Sequence, residues 1–142
     1  MKLYKLKINK LINQYDQRKN FFGSINYDEI EKTEKLLGVT FPESYKWFLA
    51  EYGGGGNGFE FSDCEMMLSY KQRFSSMPIG FVMIYWCDEY GYCLDTSKLK
   101  DGECPIMNWS PFESAIYLSK PNFYEFFLDE IENAIDNEFW DE

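Results

Sequence analysis

The chain has 142 residues, 45% hydrophobic and 20% aromatic, which suits one globular domain with a single core and argues against disorder. Its formal charge is −10 and unevenly placed: Lys2, Lys5, Lys7, Lys10, Arg18 and Lys19 face only Asp16 in the first twenty positions, whereas residues 21–142 carry 8 basic and 23 acidic side chains. Such a surface repels nucleic acid, attracts basic proteins and also serves solubility.

The opening "MKLYKLKINKLINQYDQRKN" is broken by charges every few residues and lacks the apolar stretch of a signal peptide. No run approaches the roughly 20 apolar residues that span a bilayer, so a cytoplasmic location and no membrane partner are expected. Histidine is absent, which removes Ser-His-Asp and Cys-His nucleophile systems and the commonest metal ligand. Cys64, Cys87, Cys93 and Cys104 form no C-x-x-C pair, so they are expected as small packed apolar residues rather than zinc ligands. Neither a metal nor a cofactor is expected.

In chain order, residues 3–19 have the spacing of an amphipathic helix, with Ile8, Leu11, Ile12 and Tyr15 on one face. A second helix is predicted from an Asn26 cap with Glu29 three residues on; it buries Ile30, Thr33, Leu36 and Leu37 and stops at Gly38. Pro42 suits the first turn of a third, with Tyr45, Phe48, Leu49 and Tyr52 inward and Gly53 placed to end it. "GFEFS" alternates like a strand, and "CEMMLSYKQRF" fits either helix or strand. "IGFVMIYW", 79–86, is apolar throughout and predicts a central strand. "YCLDT" (92–96) and "CPIMNW" (104–109) complete a meander through turns at "CDEYG" and "KDGE". "SPFESAIYLS" is either a strand or the approach to a last helix, Pro121 to about Asn137, whose inner side has one polar interruption at Glu130. The expected organisation is a single domain, 1–142, with its core at approximately 26–137.

Three segments, in this order, resemble the SUKH superfamily of bacterial immunity proteins and eukaryotic cell-wall-synthesis regulators. They are "IEKTEKLLGVTFPESYKWFLAEYGGGG" (30–56), "GYCLDTSKLKDGECPIMNW" (91–109) and the Phe-rich "FYEFFLDEI". Within it, "YKWFL" and "CLDT…KDGECP" are most similar to the YobK-like branch, antitoxins of LXG-type toxins. The resemblance implies an α+β fold, helices on a mainly antiparallel sheet. It also implies a non-enzymatic immunity protein that binds a cognate toxin, often a nuclease, with no catalytic residues to carry over. Gly38, Pro42, Gly53, Gly54, Asp95 and Gly102 are expected to serve the fold.

The glycine run 53–56 follows a helix C-terminus, whereas a phosphate loop precedes an N-terminus, and no lysine follows it; a cap and hinge is the expected role. Toxin contact is expected at Glu60, Asp63, Glu65, Trp86, Asp88, Glu89 and Tyr90, chosen for charge, aromatic character and predicted exposure on an acidic sheet face. Exposed aromatics suit a homodimer equally. The competing functions are a regulatory scaffold and a hydrolase using carboxylates alone, for which no nucleophile, base or metal set converges.

Overall fold

The computed structural model describes residues 2–140. Among them, five α-helices and a four-stranded antiparallel sheet follow in the order α1 (Lys2–Gln14), α2 (Tyr27–Leu37), α3 (Glu43–Glu51), α4 (Cys64–Arg73), β1 (Phe81–Trp86), β2 (Gly91–Asp95), β3 (Ile106–Trp109), β4 (Tyr117–Lys120) and α5 (Phe123–Asp136). Short 3₁₀ turns lie at Arg18–Asn20 and Thr96–Lys98. The fold class is α+β.

Local chemistry sets the helix ends. The Asn26 side chain accepts from the Glu29 amide at 2.9 Å, and Gly38, left-handed at φ 71°, closes α2. Pro42 precedes α3 and has no capping side chain, so the first amides of that helix are met from across the fold. Glu43 N–H donates to the Gly102 carbonyl at 2.8 Å, and Ser44 N–H donates to the Glu103 carboxylate at 3.0 Å. Asp101 and Gly102 are both left-handed, which makes the tight β2–β3 turn that reaches α3. Asp63 caps α4 by accepting from Met66 N–H at 2.8 Å, which resolves the ambiguous "CEMMLSYKQRF" as helix. α1 ends at Gln14 rather than 19, because Asp16 takes φ 50° and the chain turns back to bury Phe21.

Two expectations about strands need correction. "GFEFS" forms no strand: Phe59 and Phe61 are buried and Glu60 is exposed, but Phe61 pairs only with Gly55 in an isolated bridge. The apolar β1 is not central; the strand order β1-β2-β3-β4 puts it at an edge. Its character comes from cover on both faces. Val82 and Ile84 enter the main core, while Met83 joins Cys93 and Trp109 in a second cluster against Tyr70, Phe74 and Met77. Ser62 N–H donates to Ile84 O at 2.8 Å and shields that edge. Leu36, expected inside, is 58% exposed.

The main core is aromatic. Phe48 of α3 meets Phe127 at 5.0 Å, Phe61 and Phe123 at 5.4 Å and Phe21 at 6.1 Å between ring centroids, with ring planes 57–78° apart. α1 adds Ile8 and Ile12 to this core and the C-terminal segment adds Trp140. The glycine run is tied down on both sides. Phe22 N–H donates to Gly54 O, Gly55 and Phe61 exchange hydrogen bonds, and Gly56 N–H donates to Asn20 O. Gly53 has φ 81°, and a Cβ there would lie 1.8 Å from the Gly23 carbonyl oxygen. The run is a packed strap between residues 20–23 and 61, not a free hinge.

Candidate protein-binding site

The β1–β2 hairpin turns through Cys87–Tyr90. Cys87 N–H donates to Tyr90 O at 2.7 Å, Glu89 N–H donates to Cys87 O at 2.9 Å, and Asp88 sits at φ 70°, a conformation that Asp tolerates better than most residues. Ser110, buried just after β3, locks this tip to the β3–β4 loop. Its hydroxyl donates to Glu89 O at 2.8 Å and accepts from Phe112 N–H at 3.1 Å. Asp88, Glu89 and Tyr90 are thus presented on a fixed turn, joined to a loop whose Phe112 ring is 76% exposed.

The residues singled out from the sequence divide into two groups. Asp88, Glu89 and Tyr90 are exposed at the tip, and Glu60 is exposed nearby; the charges of Glu60 and Asp88 both act on the Tyr70 hydroxyl. Among the described residues, Glu60, Asp88 and Glu89 make no ion pair. The others are engaged elsewhere or lie apart from the tip. Asp63 is the α4 cap, Glu65 lies exposed in the first turn of that helix, and Trp86 is half-buried, 4.6 Å from Phe74 with Arg73 over its ring. The acids therefore lie on a hairpin tip and the α4 approach, not on an open sheet face, because α4 covers that face of β1. Among the residues expected to be structural, Asp95 is buried and accepts from Ser97 N–H at 3.2 Å, while Gly54 lies against Asp63.

On the other side of the same hairpin lies an aromatic cluster in which Glu130, read from the sequence only as a polar interruption, takes part. Tyr92 packs 4.8 Å from Phe126 of α5, and Tyr85 and Tyr90 flank it at 5.8 and 5.7 Å. Glu130 stands one helical turn beyond Phe126, half-buried, and its charge acts on the Tyr85, Tyr92 and Cys87 side chains. Burial, with Asp129 adding to it and Lys120 opposing, raises the Glu130 carboxyl from the ordinary 4.5 to about 7. Burial also lifts Tyr85 to about 12 and raises Tyr92 and Cys87, so these three stay neutral near pH 7. The signal in the sequence was the one carboxylate interrupting an otherwise apolar helix face.

With this geometry in view, the chain matches the family of SMI1-KNR4 cell-wall proteins, SUKH_5, over residues 8–132, from within α1 to late in α5. It belongs to the SUKH family. Over 76 residues it is 37% identical to a Bacillus subtilis (strain 168) protein described as "Uncharacterized protein YnaB". That match covers 52% of each, so the chain spans about half the length of this curated relative.

The opposite end of this SUKH sheet holds a cleft of about 940 Å³, between the ends of α2 and α4 and residues 77–81. Of the charged residues lining it, Glu31 and Lys35 are exposed, and Glu34, Lys46 and Lys71 are used internally. Glu34 accepts from Phe41 N–H at 2.6 Å and pairs with Lys46 at 3.7 Å, while Lys71 donates to the Leu37 carbonyl at 2.9 Å. Among the described residues no group of three or more Cys, Asp or Glu is placed to hold a metal ion, and no helix is long and apolar enough to cross a membrane.

Proposed function

We propose that this SUKH protein is a cytoplasmic immunity protein, an antitoxin that binds a cognate toxin by protein–protein contact and blocks it without catalysis. The toxin is read as LXG-type with a nuclease domain, following the resemblance to the YobK-like branch. The observation that carries the reading is the hairpin tip: Asp88, Glu89 and Tyr90 fixed by Ser110, with Glu60 close by and, among the described residues, no cation paired with these acids. A nuclease cleft is basic because it holds phosphates, so a chain of net charge −10 with unpaired acids on a rigid turn is complementary to it. Family membership supports the same reading. Co-expression with the proposed toxin partner tests it: survival of the host and a stable complex are expected. A toxin that kills regardless, with no complex formed, contradicts it.

A second reading, a non-enzymatic regulatory scaffold, is favoured by the cell-wall description of the matching family. It is distinguished by its partner: a housekeeping protein retained on the chain in cells that carry no toxin gene. A homodimer is a further possible assembly, for which the exposed Tyr117 and Leu118 of the edge strand β4 offer apolar surface.

A further inference from the structure

We propose that Glu130, with the rings of Tyr85, Tyr90 and Tyr92, forms a receptor for an arginine side chain of the partner protein. This rests on the immunity reading and names the contact within it. The cluster adjoins the acidic tip through Tyr90, which belongs to the turn and lies 5.7 Å from Tyr92.

The chemistry fits a cation and leaves little else. Glu130 is half-buried on the α5 face that elsewhere presents Phe123, Phe126, Phe127 and Ile131 to the core, a position an apolar side chain would fill at lower cost. Among the described residues its carboxylate has neither a hydrogen bond nor an ion pair. The one cation that acts on it, Lys120, pairs with Asp129 at 3.8 Å. The remaining titratable groups around it are Tyr85, Tyr92, Cys87 and Asp129, none of which supplies positive charge. Aromatic faces attract cations, and a planar guanidinium stacks on a ring while donating two parallel hydrogen bonds to one carboxylate. Tyr90, 38% exposed and linked through Tyr92 to Phe126, forms the outer wall. Docking a guanidinium stabilises the ionised carboxylate, so binding lowers its pKa, and affinity weakens as pH falls through about 7.

The test follows the Glu130 side-chain carboxyl carbon by NMR while acetyl-arginine amide is added, with acetyl-citrulline amide as the uncharged isostere. The expected result is a saturable shift and a lowered carboxyl pKa with the arginine probe only, together with Tyr85 and Tyr92 ring shifts that disappear in Glu130→Gln. No saturable shift up to about 100 mM probe, the range for one weak contact, overturns the receptor; so do ring shifts that persist in Glu130→Gln. In the toxin complex, Glu130→Gln is expected to weaken binding about tenfold or more above pH 7. Undiminished affinity there removes the receptor and leaves the immunity reading intact. Failure of any toxin complex to form removes the immunity reading, while the probe titration still decides the site.

Discussion

The two ends of the sheet use charge in opposite ways. At the cleft end, Glu34, Lys46 and Lys71 are matched to one another or to backbone groups, and they hold α2, α3 and α4 in place. At the hairpin end, Glu60, Asp88, Glu89 and Glu130 face solvent or neutral tyrosines with no cation of their own among the described residues. Internally satisfied charges describe a scaffold, whereas unsatisfied ones leave free energy to be gained from a partner. Glu34, Lys46 and Lys71 therefore read as scaffold, and the unneutralised hairpin end is the stronger candidate for partner binding.

Substitutions can break or sharpen this contrast. The largest effect is expected beneath both ends: Phe48→Ala empties the centre of the aromatic core and should cost about 3–5 kcal/mol in denaturant unfolding, with tip and cleft lost together. At the cleft, Glu34→Ala orphans the Phe41 amide and should cost about 1–3 kcal/mol while leaving partner affinity unchanged for the folded fraction. A loss of affinity there would erase the distinction between the ends. At the tip, Glu130→Gln should raise thermal stability at pH 8. Its folded pKa, about 7, lies above the ordinary 4.5, so the ionised carboxylate opposes folding above pH 7. The gain should shrink as pH falls from about 7 towards 4.5, and a gain independent of pH would refute an unpaired carboxylate. Smallest in stability, Asp88→Asn with Glu89→Gln should stay within about 0.5 kcal/mol of the parent, because both side chains are exposed on the turn.

Much of the scaffold was legible because its signals are local. Asn26 with Glu29, Gly38 and Gly53 marked the ends of α2 and α3, and the Asp101–Gly102 turn set the β2–β3 hairpin. Periodicity could not place β1 at an edge, since an apolar run reports cover on both faces whichever neighbours provide it, and here α4 provides one. Nor could it foresee that Phe59 and Phe61 are held by burial with hardly any strand pairing, or that Glu103 caps α3 from about sixty residues away. Of the site, the exposed Asp88, Glu89 and Tyr90 follow from turn chemistry. The capping role of Asp63 was not read, because a cap and a surface acid look alike in sequence. Glu130 was read only as a polar interruption, because one polar residue on a helix face gains meaning only when Tyr85 and Tyr92 are brought beside it.

The most direct measurement is the association rate of the purified chain with the proposed toxin partner, for the parent and for Asp88→Asn with Glu89→Gln, at low and physiological salt. Unpaired acids at the tip predict fast association that slows with salt, and a double variant that associates severalfold more slowly with little salt dependence left. Equal rates for both proteins at both ionic strengths would contradict the account.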